Sequence, residues 1–421
     1  MQARPRKRNP RLLLVTRALD IGGTERHLAQ IAPGLARRGF DVTVYCIAKQ
    51  GAQVGEIGAS GVRVAGPQSG SGLLPRLGSA ATLLSGALGL IPEMLIGRPD
   101  IAHFFLPHAY LAGSLAAAIT QVPVRIMSRR SQNLYQLKHP RLARLERRLH
   151  GSMTAILGNS RSVVDELIGA EGVPAERAGL IFNGLDVSHY GQAVNRTAIR
   201  ARLGIAADAK VFACLANLIS YKGHADLLAA LGSIKDRLPI SWKLLAIGRD
   251  GGALNALRAQ ADALGIADNI CWPGMRRDVS DMLAASDIGA LASHEEGFSN
   301  AIIESMASGL PMAVTDVGGN AEAVLHGQTG LVTPPRDPEA LAGSLLRLAS
   351  DGALAERMGQ AGRRRAAKHF SIDSCLDAYE ATYRALMAGE GLPASVAVSG
   401  FVNARRPSPA GAAITGLAPA L

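Results

Sequence analysis

Short apolar runs alternate with helical periodicity in two successive series, and this constrains the chain more than any other feature. The first series reads RLLLVTRAL, DVTVYCIA, VRVAG, IAHFFL, VRIMSR, AILGNS and GLIFNG; the second reads VFACLANL, KLLAIGRD, ICWPG, IGALAS, PMAVTD and GLVTPP. Strands this continuously apolar are buried on both faces, and strand–helix alternation makes a parallel sheet covered by helices on each side. Because the rhythm occurs twice, and 421 residues exceed one ordinary core, the fold class predicted is α/β with two facing Rossmann-like, doubly wound domains. The rhythm pauses near residues 187–198. The expected layout is a first domain over 1–190, a second over 191–371, a helix over 372–388 packing back on the first domain, and a disordered Gly/Ala/Pro/Ser tail over 389–421.

Composition removes several function classes. Hydrophobic residues make up 48% and charged residues 19%, a globular balance. The net charge of +11 favours an anionic partner, but basic residues are not interleaved with aromatics as nucleic-acid binding would want. Cys46, Cys214, Cys271 and Cys375 lack metal-ligand spacing and read as reduced core thiols of a cytoplasmic protein. The apolar run Leu12–Val15 is too short for a signal sequence. Pro75, Arg76, Pro92 and Glu93 interrupt the segment from Leu73 to Ile96, so it reads as a buried or surface-docking helix, not a membrane span.

Ligands of doubly wound sheets bind beyond the carboxyl ends of the strands, so chemistry should follow the apolar runs. After IGALAS comes SHEEGFSNAIIESMASGLPMAV. Ser299 or Asn300 is placed to cap a helix running to about Ser308, ended by Gly309 before Pro311. Its free amides form an anion site, with Glu296 just before them and Glu304 about 6 Å further along the axis. Amides for a phosphate and carboxylates for sugar hydroxyls suit a ligand carrying both; an acidic first turn that complements the helix dipole is the plainer alternative. Gly22 and Gly23 follow the first run at a turn where backbone can approach a phosphate. Lys222, in NLISYKG, offers a point charge at another helix start. His103 lies in the fourth run and His108 just after it.

The segment EGFSNAIIESMASGLPMAVTDVGGNAEAV resembles the signature of the retaining glycosyltransferases of family 4, which have the GT-B fold. The resemblance implies that Glu296 faces the donor sugar near the reacting carbon and that Glu304 binds the nucleotide ribose. Gly297, Phe298, Ser299 and Asn300 then belong to the donor site, and the loop of Gly22 and Gly23 closes over the donor diphosphate and the acceptor. The family's Gly-Arg pair is replaced at Asn217, which shifts diphosphate neutralisation toward Lys222, Arg249 or Arg276. Met275 and Arg276 stand in the segment that holds the nucleobase. The family also places a histidine after the fifth strand, near the reacting sugar; this chain has Ser128, Arg129 and Arg130 there, cations suited to an anionic acceptor.

The expected activity is therefore transfer of a sugar, with retained configuration, from a UDP- or GDP-sugar to a lipid-linked or polysaccharide acceptor. Glu296, His108 and Lys222 are the expected catalytic residues. No Asp-x-Asp pair occurs, so neither metal nor cofactor is expected. A sugar-nucleotide epimerase on the same scaffold and a non-catalytic nucleotide-sugar-binding protein are the alternatives. Residues 129–150 suggest peripheral contact with the inner face of the plasma membrane. Leu142, Leu145 and Leu149 recur at helical spacing between Arg141, Arg144, Arg147 and Arg148; the competing reading turns those leucines into the core.

Overall fold

The computed structural model describes residues 8–20, 22–67, 78–132, 136, 139–192, 194–238 and 240–398, excluding the side chains of 49 and 78–85. The N-terminal basic leader, residues 68–77 and the tail from 399 onward lie outside the described residues.

Two parallel sheets form, as the two series predict. The first has seven strands in the order β3-β2-β1-β4-β5-β6-β7. They are β1 (Arg11–Ala18), β2 (Asp41–Lys49), β3 (Arg63–Ala65), β4 (Ile101–Phe105), β5 (Val124–Arg129), β6 (Ala155–Gly158) and β7 (Ala178–Leu180). The second has six in the order β10-β9-β8-β11-β12-β13, running through β8 (Lys210–Leu215), β9 (Trp242–Ile247), β10 (Ile270–Gly274), β11 (Ile288–Leu291), β12 (Met312–Thr315) and β13 (Gly330–Thr333). Every pairing between them is parallel. Central strands such as β4 are buried along their whole length, and each aliphatic or aromatic side chain so buried contributes about 1.5–3 kcal/mol. At the edges the strands shorten: β3 has three residues, and β10 carries Pro273, tolerable where no neighbour needs its N–H.

The strand order reverses between β1 and β4 in the first sheet and between β8 and β11 in the second. A crevice opens where helices leave such a switch point on opposite faces. The two crevices face each other and make one cleft.

The chain crosses between the halves twice, and the crossings are bonded together: Leu185 N donates to Phe370 O at 2.9 Å and Ile372 N to Leu185 O at 2.8 Å. The final helix, α15 (Ile372–Ala388), then packs on α1 (Gly23–Arg37) of the first half, burying Cys375, Leu376, Tyr379, Tyr383 and Leu386 in that half's core. Packed structure continues past the expected start of the tail at 389. Val396 and Val398 are buried, and Val396 O accepts from Leu180 N at 2.9 Å, covering the edge strand β7. The small-residue composition concealed two valines that cap a sheet edge.

No described helix is long and apolar enough to cross a membrane. The segment read as a buried or docking helix forms α3 (Gly78–Gly97), which exposes Leu88, Leu95 and Ile96.

Candidate active site

The cleft between the halves has a volume of about 830 Å³. Residues that follow β1, β4 and β5 line it from one side, and residues that follow β8, β9, β10 and β11 from the other.

The helix after β11, α11 (Asn300–Ala307), has Ser299 at its N-cap position, but no side chain caps its amides. The expected capping by Ser299 or Asn300 does not form: Asn300 Oδ1 instead accepts from Asn183 Nδ2 at 2.7 Å. The helix start is left open toward the cleft, as an anion site requires. Across the cleft α1 likewise begins at Gly22 without a side-chain cap. Glu25 from its first turn folds back close to Gly22, and burial pushes the Glu25 carboxyl up.

The two glutamates flanking α11 sit in different surroundings. Glu296 accepts from Lys222 Nζ at 2.6 Å and from Ser293 Oγ at 2.9 Å, so a cation and a hydroxyl fix its carboxylate. Lys222 reaches it through the turn at Gly223, where φ is +68° and a Cβ would lie 1.8 Å from Ala292 O; only glycine fits. Glu304 is buried, and burial pushes its carboxyl up to about 7, against the Arg26 charge and a hydrogen bond with Tyr190. Its Oε2 has no hydrogen-bond partner among the described residues. A buried acceptor without a donor costs about 1–3 kcal/mol, a cost that a ligand hydroxyl would relieve.

Gly22, Gly23, Asn217, Lys222, Met275, Arg276, Glu296, Gly297, Phe298, Ser299, Asn300, Glu304 and Arg130 all line the cleft. Asn217 Oδ1 accepts from Arg249 N at 3.2 Å, fixing the β9 loop that brings Arg249 to the wall. Arg276 pairs with Asp278 at 2.7 Å. The Phe298 ring is committed to packing, with centroids 5.1 Å from Phe182 and 5.3 Å from Phe370 across the crossings.

Two expected site residues are not in the cleft. His108 lies exposed in the helix that follows β4, α4 (Leu106–Ile119), outside the lining, with its pKa lowered by partial desolvation and the Arg17 charge. Arg129 is 2% exposed on the far side of β5. It binds Glu171 with both terminal nitrogens, at 2.8 and 3.1 Å, and Glu146 at 3.1 Å; His150 also donates to Glu171 at 2.8 Å. Burial alone would push Glu171 up, but His150 and Arg129 hold it below the usual carboxylate range. Arg129 is a core ion-pair residue because successive residues of a strand point to opposite faces, and only one of two adjacent arginines can face the cleft. His103 is also core: Tyr383 and Ser128 hydrogen-bond it at 2.8 Å each, and burial with the Arg130 charge takes its pKa down to about 3.

Other cleft residues escaped sequence reasoning. Arg26, Gln132 and Asn159 line the cleft, and Tyr190 bonds Glu304 from the interdomain connection. Glu322, two residues from the family signature's end, accepts from Arg161 N at 2.7 Å and Ser162 N at 3.0 Å. It thereby caps a first-half helix, α6 (Arg161–Gly169), from the second half. No local spacing signals such contacts. Among the described residues no cluster of three or more His, Cys, Asp or Glu side chains is arranged to hold a metal ion.

Two parallel-sheet Rossmann-like domains enclosing such a cleft are the architecture of GT-B glycosyltransferases. The chain superposes on Anabaena HepE in complex with UDP and glucose with a TM-score of 0.78 at 22% identity, covering 89% of this chain and all of that one. Sucrose-phosphate synthase from Thermosynechococcus elongatus gives 0.75 at 19% identity, covering 90% of this chain and all of that one. Residues 21–189 match the family model for Glycosyltransferase Family 4, and residues 195–365 the model for Glycosyl transferases group 1. The chain belongs to the family-4 glycosyltransferases. It is 28% identical over 396 residues to a D-inositol 3-phosphate glycosyltransferase of Xylanimonas cellulosilytica, covering 87% of this chain and 93% of that protein. A protein of the same description from Mycobacteroides abscessus is 27% identical over 388 residues, covering 86% and 84%.

Proposed function

We propose that this glycosyltransferase takes its sugar from a uridine or guanosine diphosphate donor bound mainly by the second half, and passes it, with retained configuration, to a glycan or lipid-linked acceptor held by the first. The observation carrying this reading is the open start of α11 between two glutamates of unlike character. The ribose hydroxyls donate to Glu304, whose free Oε2 lacks a donor. The diphosphate meets the α11 amides with Lys222, Arg249 and Arg276. Glu296 faces the carbon at which positive charge develops as the diphosphate leaves. The fold relative solved with UDP and glucose supports a UDP donor, and the inositol-phosphate description of the sequence relatives supports an acceptor ring bearing hydroxyls, as a glycan does. Thermal shift tests the donor: UDP at 100 times its dissociation constant stabilises by about 2.7 kcal/mol. No shift with UDP, GDP or their sugars would overturn the reading.

Amides and cations do the work of a divalent metal at the leaving diphosphate. Activity is therefore expected to survive exhaustive chelation within a few-fold. Complete loss restored by magnesium or manganese would show otherwise.

The same reading sets the enzyme at an anionic membrane surface. In α5 (Pro140–His150) the buried side is Ala143, Glu146 and His150, while Leu142 (42%) and Leu145 (45%) are exposed beside Arg141, Arg144, Arg147 and Arg148. The core-facing alternative for these two leucines does not hold. Helix α4, which packs against both α5 and α3, adds exposed Leu115 and Ile119. Each basic residue near an anionic leaflet adds about 1 kcal/mol. Vesicles with anionic lipid are expected to co-sediment the protein at low salt, and the triple change Arg141→Gln, Arg144→Gln, Arg148→Gln to release it. Indifference of the wild type to anionic vesicles would favour a soluble acceptor.

A further inference from the structure

Arg129 ends β5 and Arg130 follows it, and the protein treats the two oppositely. Arg129 is neutralised by the two carboxylates of Glu171 and Glu146. Among the described residues Arg130 has only neutral hydrogen-bond partners. Its Nη2 donates to Asn183 Oδ1 at 2.8 Å, and it shares a hydrogen bond with Tyr379 of α15. Its Nε is buried without a partner. Among the described residues no carboxylate lies within ion-pair reach of it; Glu25 acts on it only through space. The Arg130 side chain is part-buried, and a cation partly withdrawn from water without a counter-ion is disfavoured, yet the fold retains it.

Its placement tells what the missing partner is. The main chain of Arg130 packs so closely on Gly297 that a Cβ there would lie 2.5 Å from Arg130 O, so the arginine abuts the residue following Glu296. Asn183, which accepts from Arg130, also donates to Asn300 Oδ1 at 2.7 Å and to Phe298 O at 3.1 Å. The guanidinium is thus aimed by a residue bonded to the start of α11. An uncompensated, oriented cation in a ligand cleft marks a substrate charge, and the planar guanidinium matches carboxylate and phosphate geometry.

We propose that Arg130 holds an anionic group of a substrate, a carboxylate or a phosphate, beside the reacting carbon, and so makes this enzyme selective for a charged sugar donor or a charged acceptor. The inference rests on the proposed donor site. Three binding measurements separate its sources, on wild type, Arg130→Gln and Arg130→Lys. UDP alone serves as the control for folding and for the nucleotide site, and is expected to bind all three alike. In the donor arm UDP-glucuronate is compared with UDP-glucose. In the acceptor arm the UDP-loaded enzyme is titrated with glucose 6-phosphate and with glucose. One arm should show a preference of about tenfold or more for the anion in the wild type, lost in Arg130→Gln and partly kept in Arg130→Lys; the arm that does so names the source. Two flat arms with UDP binding intact would overturn this inference alone. A loss of UDP affinity in a folded Arg130→Gln would also overturn it, by assigning the arginine to the diphosphate. Absence of UDP binding in the wild type would overturn the donor site and this inference together.

Discussion

Glu296→Gln is expected to lower turnover by about 10²–10³-fold, the range seen when one group stabilising transition-state charge is removed, while the KM for the donor stays within a few-fold. The carboxylate is held by Lys222 and Ser293, so an isosteric amide keeps the shape of the site and removes only the charge. Lys222, freed from its partner, remains available to the diphosphate, so donor binding has no reason to weaken. Steady-state kinetics with the donor varied separate the two effects. Unchanged turnover, or a loss confined to KM, would remove Glu296 from the reacting centre.

Glu304 is expected to behave in the opposite way. Glu304→Gln replaces a charged acceptor of ribose hydroxyls with a neutral one, which costs about 1.5–3 kcal/mol, or about 10- to 100-fold in affinity. The pH dependence is more discriminating. Burial lifts the Glu304 carboxyl to about 7, so it is mostly ionised at pH 8 and mostly protonated at pH 6. Hydroxyl donors favour the ionised form; binding should therefore weaken as pH falls through 7, by about tenfold between pH 8 and pH 6. Uridine is the suitable probe, because it carries no phosphate titrating in that window. Glu304→Gln should flatten the profile. A wild-type profile already flat would show that Glu304 does not meet the ribose.

How much of this was legible in the sequence differs between the frame and the site. The two series of apolar runs predict both sheets because fully buried strands need no partner information to be recognised. The glutamate pair and Gly22–Gly23 were legible because each lies in one strand-to-helix connection, where local spacing sets the geometry. Arg129 and Arg130 were legible as cations but not as opposites: strand alternation says that they diverge, and only the packing of Glu146 and Glu171 says which goes inward. His108, in the first turn of α4 after Leu106 with φ +69°, lies outside the cleft lining, a placement that local spacing does not reveal. Glu322, Asn183 and Tyr379 act across 53 to 249 positions of chain, and such contacts have no local periodicity to betray them.

The proposed reaction is transfer with retention from a nucleotide-sugar donor at the cleft. It is tested most directly by following the wild-type enzyme with α-linked UDP-sugars by proton NMR, reading the anomeric signal of the first product. UDP should be released and the first product, whether glycoside or free sugar from slow hydrolysis, should carry the α configuration before mutarotation sets in. A first product in the β configuration, or a UDP-bound epimer formed without UDP release, would contradict it.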